Sequence, residues 1–271
     1  MQLLLQYHHI SKGIEFNPNI CPLSLFKKHL SELNHLGFSD LTHNFEKEFG
    51  KTSEISRVLI TFDDGYKSIV KNAYPLMEQY GYKGIVFIVT GFLGKESLWE
   101  VPFLTPLPHL DEDDIKLLHT MGWIIGSHSH MHRDLTRLTD RQLREEIGTS
   151  QKILEDIIGN KITYFSYPYG KYNQRVVSIL KELGFMFAFK SSEFPKKYTS
   201  QINMLQIPRR TVYIIDITLK YKIDPFYTRF ETMKEVVSNK MAFLSPIYAK
   251  LLEAHKGNPC DNNRTDHLGK S

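Results

Sequence analysis

The sequence predicts an α/β protein, and two observations support this fold class. Short apolar runs alternate with amphipathic segments along most of the chain. The chain has 271 residues, of which 41% are hydrophobic and 24% are charged, so it can form one large domain or two small ones. Three segments rich in reactive side chains each lie at the carboxyl end of a predicted strand, which is where α/β sheets and barrels place their sites.

In the first half of the chain, predicted helices alternate with predicted strands and are each followed by a glycine. Apolar runs predict the strands, and apolar residues at helical spacing predict the helices. Asp111 is a suitable N-cap for the last helix of this half. The predicted strands are 3–8, 57–62, 84–90 and 123–125. The predicted helices are 23–36, 67–80 and 112–121.

The second half contains the clearest helix, predicted over residues 140–158. Thr139 can cap its start, with Gln142 in the capping-box position, and Gly159 can end it. Its apolar stripe consists of Leu143, Ile147, Leu154, Ile157 and Ile158. Asn173 can cap a second helix over 174–183. The predicted strands of this half are 162–167, 185–189 and 204–215.

Three regions follow from this pattern. Residues 1–225 are expected to form the main domain, and residues 226–255 a helical extension broken near Ser245-Pro246. The extension is amphipathic, which favours packing against the main domain but also allows docking on a membrane surface or on another subunit. Residues 256–271 are polar and are expected to be a disordered tail.

Composition excludes several classes of partner. Lys+Arg 34 against Asp+Glu 30 gives a net charge of +4 without a basic stretch, so no nucleic-acid partner is expected. Cys21 and Cys260 cannot make a disulfide framework. No apolar run approaches the roughly 18 residues of a membrane-spanning helix. The N-terminus lacks the pattern of a signal peptide, which predicts a cytoplasmic protein; a chain whose leader had been removed, and was therefore secreted or periplasmic, would look the same.

The first reactive segment is Thr61-Phe62-Asp63-Asp64-Gly65. Two adjacent carboxylates at a strand end can face one cavity if the turn at Gly65 reorients the chain. The alternative is a solvated turn without function, because Asp-Gly is a common turn dipeptide.

The second reactive segment is His128-Ser-His-Met-His132. A spacing of four places His128 and His132 on one face of a helical turn, as in metal sites borne by helices, and turns His130 away. The alternative is an exposed histidine-rich loop. Catalytic zinc usually has three protein ligands and one open position, a set that two histidines and one aspartate would complete.

The third reactive segment is Tyr164-Phe-Ser-Tyr-Pro-Tyr-Gly170, in which Pro168 fixes the backbone after a strand. Taken alone, it is an aromatic strand edge followed by a turn. Taken in this order, the three segments resemble the motifs of the polysaccharide deacetylases (NodB homology, carbohydrate esterase family 4), over roughly residues 3–215 of this chain.

This resemblance implies a distorted (β/α) barrel and metal-dependent removal of acetyl groups from N-acetylated sugars. By position, Asp64, His128 and His132 match the metal ligands of the family, and Asp63 matches the catalytic base. The backbone amide of Tyr169 matches the donor to the oxyanion. Such a ligand set suits Zn²⁺ best, although Co²⁺, Ni²⁺ and Mn²⁺ are chemically possible.

The general acid and one arginine depart from the usual family order. The family's Leu-x-His motif is absent after Pro208, whereas the N-terminal strand ends in Tyr7-His8. This arrangement resembles the circularly permuted branch, similar to biofilm poly-N-acetylglucosamine deacetylases, and assigns His8 as the general acid. Ser166 stands where the family often has an arginine that holds the catalytic aspartate. Pro208-Arg209-Arg210, at the start of a late strand, can supply the missing guanidinium, and Arg209 is favoured over Arg210.

The expected function is a hydrolase that deacetylates an N-acetylglucosamine-type oligosaccharide, polysaccharide or glycolipid precursor. The same centre would also serve an O-acetyl esterase or an amide hydrolase of another compound. A non-catalytic glycan-binding relative is a third alternative, which the complete set of reactive residues disfavours. The loop over 92–110, with Trp99 and Phe103, is expected either to bind substrate or to pack as a solvated lid. The pattern predicts no particular oligomeric state.

Overall fold

The chain folds into a parallel β-barrel surrounded by helices. The computed structural model describes residues 1–13, 19–51, 54–96, 106–191, 202–214 and 216–219. The strands are β1 (Gln2–Tyr7), β2 (His9–Ser11), β3 (Ile20–Pro22), β4 (Ser39–Asp40), β5 (Arg57–Phe62), β6 (Gly84–Ile88), β7 (Ile124–Ser127), β8 (Tyr164–Ser166), β9 (Phe187–Ser191) and β10 (Ile207–Thr211). The helices are α1 (Leu23–His35), α2 (Phe45–Glu48), α3 (Tyr74–Gln79), α4 (Glu112–Thr120), α5 (Asp140–Ile158) and α6 (Gln174–Glu182).

Seven of these strands close into the barrel that the resemblance implies. Their order is β1-β10-β9-β8-β7-β6-β5, and β5 returns to pair with β1 over its whole length. Every pairing is parallel. The short β4 extends the sheet beside the start of β5, whereas β2 and β3 form a separate pair. The predicted (β/α) barrel is therefore confirmed.

The barrel strands are buried on both faces, and β1 shows how its side chains divide. Leu3, Leu5 and Tyr7 join the apolar layer between the strands and the surrounding helices. Leu4 joins a second, aromatic-rich cluster inside the barrel. Because side chains alternate along a strand, Gln6 and then His8 follow Leu4 on the interior side.

The amino-terminal end of the barrel is closed from below by the segment that contains α2. Phe45 packs against the rings of Tyr164 and Phe187, which lie at the starts of β8 and β9. The hydroxyl of Tyr164 donates a hydrogen bond to Glu46, which fixes this segment in place. With this end filled, the carboxyl ends of the strands are left to build a site.

Local differences from the sequence prediction have physical causes. The helix predicted over 67–80 is divided into a π-helical turn, Ile69–Ala73, and α3. Pro75 accounts for the break, since it lacks the N–H that would continue the ladder and its ring crowds the preceding turn. The strand predicted over 204–215 is limited to Ile207–Thr211. In contrast, α5 has the predicted bounds, and both capping-box hydrogen bonds are present.

Several predictions fall outside the described residues. These are the helical extension over 226–255, the tail over 256–271, and Trp99 and Phe103 of the predicted substrate loop. Within the described part of the chain, no helix combines the length and the apolar character needed to cross a membrane.

Candidate active site

The three reactive segments meet at the carboxyl end of the barrel. Asp63 and Asp64 follow β5, His128 follows β7, and Tyr169 follows β8. The amide of Asp63 donates to the carbonyl of Tyr7, so the pairing of β1 with β5 continues to the point where His8 follows β1. The fold therefore brings together the N-terminal histidine and the motifs of the middle of the chain.

Asp64, His128 and His132 form a compact buried cluster. One potential ligand atom from each residue lies within 4.8 Å of the other two. The Nε2 atoms of His128 and His132 lie 3.4 and 3.5 Å from Oδ1 of Asp64. Two imidazoles and one carboxylate are the ligand types that zinc takes in catalytic sites, where a fourth position stays open.

The hydrogen bonding of His128 also fits a metal ligand. Its Nδ1 lies 2.8 Å from the carbonyl oxygen of Ser166, which can only accept, so Nδ1 carries the proton. In the neutral ring, Nε2 then has a free lone pair directed to the cluster, as in many metal sites where the second nitrogen donates to a carbonyl. The residues present therefore fit a bound divalent metal.

The histidine loop (residues 128–132) is not the helical turn that the spacing predicts. It is an irregular loop, and Ser129 and His132 have positive φ angles of 68° and 53°. The amide of His132 donates to the hydroxyl of Ser129, which stabilises this tight fold of the backbone. His130 turns away from the cluster, as expected, and hydrogen bonds with Thr90.

Backbone strain is concentrated at the same place. Among the described residues other than glycine, four have a left-handed backbone: Asp64, Ser129, His132 and Tyr169. Each such residue costs on the order of 1 kcal/mol and persists only where its surroundings enforce it, which is common at functional sites. All four belong to the three reactive segments.

Asp63 lies beside the cluster and is held by hydrogen-bond donors. Arg209 binds it through two N–H groups, at 2.7 Å to Oδ1 and 2.8 Å to Oδ2. The hydroxyl of Ser166 and the side-chain amide of Gln6 also donate to Oδ2, at 2.9 and 2.8 Å. Arg209 thus occupies the place predicted for the missing guanidinium.

Burial and neighbouring charges determine the protonation state of each titratable group in the site. Burial would raise the pKa of Asp63, but Arg209 and His128 bring it down to about 2. Burial would also raise the pKa of Asp64, but the neighbouring histidines outweigh this effect, so the pKa of Asp64 lies below its ordinary value. Burial lowers the pKa of His132 to about 3, which keeps this ring neutral. The pKa of His128 is raised despite its burial, because Asp63 and Asp64 stabilise its charge.

His8 and Tyr169 border this cluster. Burial lowers the pKa of His8, while the charges of Asp64 and Asp63 act in the opposite direction, which places the ring within electrostatic reach of both. Its Nδ1 has no hydrogen-bond partner among the described residues. The ring centroids of Tyr169 and His132 lie 4.5 Å apart, so the side chain of Tyr169 forms a wall of the site.

Two residues at the site were not identified from the sequence. Gln6 contacts Asp63 and carried one weak signal, a polar residue inside an apolar strand on the same face as His8. His109 is buried, and its Nδ1 lies 2.9 Å from the carbonyl oxygen of Asp64. No local pattern marks His109, since only the fold brings it to the strand end.

Comparison with known proteins gives a consistent result. The family model described as polysaccharide deacetylase matches residues 50–188. A Bacillus subtilis protein, YxkH, which is named as a polysaccharide deacetylase, is 31% identical over 67% of this chain and 61% of its own length. The poly-β-1,6-N-acetyl-D-glucosamine N-deacetylase of Staphylococcus aureus strain COL is 26% identical over 69% of this chain and 65% of its own length. The alignments thus span less than two thirds of these relatives.

Solved structures share the fold. IcaB from Ammonifex degensii superimposes with a TM-score of 0.69 at 19% identity, covering 85% of this chain and 97% of that one. The Streptococcus pyogenes deacetylase PplD gives 0.66 at 19% identity, covering 79% and 92%. The match of the family model over half of the chain, on the barrel that carries the three motifs, shows that this chain belongs to the polysaccharide deacetylase family.

Proposed function

We propose that this protein is a metal-dependent N-deacetylase that hydrolyses the acetamido group of an N-acetylglucosamine-type glycan. The observation that carries the proposal is the buried Asp64–His128–His132 cluster beside a clamped Asp63. Likeness to a poly-β-1,6-N-acetyl-D-glucosamine N-deacetylase supports this class of substrate. Asp64, His128 and His132 would hold the metal, with Zn²⁺ the best fit to their donor atoms.

Zinc bound to these residues supplies a Lewis acid that polarises a carbonyl and lowers the pKa of water. Asp63, ionised and fixed by Arg209, accepts the proton of the attacking water as general base. The backbone N–H of Tyr169 donates to the oxyanion that forms on the carbonyl oxygen when water adds to the amide carbon, a contribution of about 3 kcal/mol for one such donor.

The leaving amine must gain a proton before the C–N bond breaks, and His8 is assigned this step. Its ring lies at the end of β1, on the same side of the strand as Gln6, which touches Asp63. An imidazole is the side chain best suited to donate a proton near neutral pH. Two groups on different strands would thus act as base and acid.

Metal content tests the ligand set without any assumption about substrate. Wild type is expected to retain about one equivalent of zinc or a similar metal, and His132→Ala to lose it. His130→Ala is the matched control, because this histidine belongs to the same loop but bonds Thr90 instead of the cluster. A wild type that takes up no metal after reconstitution would contradict the proposal.

Acetate release from N-acetylglucosamine oligomers tests the reaction. Asp63→Asn is expected to keep the metal and lose turnover, because the amide cannot accept the proton. His8→Gln is expected to keep the metal and slow turnover by at least a hundredfold, the usual contribution of a general acid. Full activity of Asp63→Asn would show that another group is the base.

A further inference from the structure

Gln6 is a buried polar residue that lies inside the barrel beside the active site. It is 3% exposed and is located on β1, between Leu4 and His8 on the interior face. A buried amide that lost its hydrogen bonds would cost on the order of 1–3 kcal/mol, so its contacts determine whether it can be tolerated. Both ends of the amide are satisfied, and one of them contacts Asp63.

The contacts of Gln6 fix the orientation of its amide. Its Nε2 lies 2.8 Å from Oδ2 of Asp63, a carboxylate oxygen that can only accept. Its Oε1 accepts from the hydroxyls of Ser191 and Thr211, at 2.9 and 2.8 Å. A flipped amide would place oxygen against the carboxylate, so the N–H group must face Asp63.

The donors around Asp63 are distributed unequally between its two oxygens. Oδ2 accepts from Gln6, Ser166 and one Arg209 N–H, which fills its lone pairs. Oδ1 accepts from the other Arg209 N–H alone among the described residues. Oδ2, the oxygen that Gln6 holds, is also the one that lies 4.0 Å from Nε2 of His128 and therefore faces the proposed metal ligands.

We infer that Gln6 is a positioning residue that fixes the orientation of the Asp63 carboxylate beside the proposed metal ligands. The inference rests on the proposed function. In the step where Asp63 acts as base, an O–H bond of the attacking water breaks and the proton moves to the Asp63 carboxylate. The electron pair of that bond forms the new bond to the amide carbon, and the π pair of the C=O bond moves onto the carbonyl oxygen. Without Gln6, Oδ2 loses the donor that reaches it from β1, so the carboxylate is held less firmly in one orientation, which lowers the fraction of productive geometries.

Kinetics of Gln6→Leu test this role. We expect kcat to fall about tenfold or more, while KM and metal content stay at wild-type values. Gln2→Leu is the matched control, because Gln2 lies on the same strand but hydrogen bonds with the backbone of Glu48 and Gly50 at the other end of the barrel. The control should lose stability and keep its kcat. Wild-type kcat in Gln6→Leu would overturn the inference.

Thr211→Val provides a second test, because it should not affect kcat if Gln6 only fills space. This change removes one hydroxyl that orients the amide, keeps the shape of the side chain, and touches neither Asp63 nor the cluster. We expect a severalfold loss of kcat at unchanged KM, smaller than that of Gln6→Leu. An unaltered kcat in this variant together with a large loss in Gln6→Leu would show that the hydroxyls do not orient the amide, against the inference.

Unfolding measurements separate the failure of this inference from failure of the proposed function. If wild type releases no acetate, the proposed function fails, but the coupling between Gln6 and Asp63 can still be measured. We expect the shifts in urea midpoint of Gln6→Leu and Asp63→Asn to be non-additive in the double variant, because the two side chains contact each other. Additive shifts would overturn the inference whatever the reaction.

Discussion

Arg209 and Asp63 form an ion pair that lies wholly inside the barrel. The guanidinium of Arg209 is fully buried between the rings of Phe87 and Phe189, whose centroids lie 5.2 and 5.5 Å from it. Removing both charges from water is costly, and the cost is recovered only where hydrogen bonds of good geometry hold the two groups together. Thr61, Ser166 and Asp63 accept from the two terminal nitrogens of Arg209, whereas its Nε has no hydrogen-bond partner among the described residues. The pair therefore fixes the carboxylate in place and in its ionised form.

This pair predicts a pH dependence of stability in the metal-free protein. The pKa of Asp63 is about 2 in the folded state, against an ordinary value of 3.8. Because the pKa of Asp63 is lower in the folded state, its ionised carboxylate stabilises the fold at pH values above the ordinary pKa. This contribution is lost as the pH falls through the pKa of the folded state. The difference corresponds to about 2 kcal/mol. Urea unfolding in the presence of a chelator should show this contribution disappearing between about pH 4 and pH 2.

Asp63→Asn is the reference for this measurement, since the asparagine has the same shape and does not titrate. At pH 7 the variant should be less stable than wild type, because Arg209 then carries an uncompensated buried charge. The gap between the two proteins should shrink as the pH falls. A gap that stays constant from pH 7 to pH 2 would mean that the ion pair does not stabilise the fold.

His109 is a second buried residue whose hydrogen bond should affect metal binding. Burial lowers the pKa of His109 to about 4, so the neutral ring donates from Nδ1 to the carbonyl of Asp64. This contact supports the left-handed backbone of a proposed metal ligand. We expect His109→Leu to weaken zinc affinity on the order of tenfold, the usual effect of losing an outer-shell partner.

A zinc competition titration measures this effect without an activity assay. His119→Leu is the matched control, because His119 is located on α4 and hydrogen bonds with Asn160 away from the cluster. Equal zinc affinity in His109→Leu and wild type would show that the bond to Asp64 does not hold the ligand in place.

At the scale of elements, local sequence predicts those parts whose hydrogen bonds are local. The α5 helix is one example, because Thr139 and Gln142 cap its start and Gly159, with φ of 70°, ends it. The closing segment around α2 is not predictable in this way. Phe45 is buried by rings on β8 and β9, more than a hundred residues later in the chain. The same limit explains why spacing alone predicted a helical turn at the histidine loop.

The histidine loop depends on a close approach by a neighbouring turn. The amide of Gly91 donates to the carbonyl of His130, and a Cβ at this position would lie 2.5 Å from the sulfur of Met131 and 2.7 Å from that carbonyl oxygen. Gly91→Ala must therefore push the loop away. We expect a loss of zinc affinity of at least tenfold, measured by competition with a chromogenic chelator.

Gly148→Ala provides the contrast for this experiment. Gly148 is located on α5, and a Cβ there meets no atom within 4 Å. The substitution should stabilise the protein by roughly 0.5–1 kcal/mol, because alanine is the better helix former, and leave zinc affinity unchanged. If Gly91→Ala binds zinc as tightly as Gly148→Ala does, the loop adapts and its close packing does not position the ligands.

At the scale of the whole molecule, β1 both closes the barrel and carries the proposed general acid. It pairs with β5 along six residues and with β10 on its other edge. The first strand of the chain is therefore an internal strand of the sheet, although its neighbours lie about 55 and 205 residues away in sequence. Closure of the barrel and assembly of the site should occur in one event, because His8, Gln6 and Asp63 come together only when β1 is in place.

Native-state hydrogen exchange tests this coupling. Chain termini commonly fray, but an N-terminal strand with both edges paired should open only when the whole barrel unfolds. The amides of Leu4 and Leu5 are expected to exchange with the same free energy as those of Ile125 in β7, and both should equal the free energy of global unfolding. Among the described strands, the short β4, Ser39–Asp40, pairs with β5 alone and is expected to exchange at lower free energy. Faster exchange in β1 than in β7 would show that the barrel opens at this strand without unfolding, which would separate the proposed acid from the rest of the site.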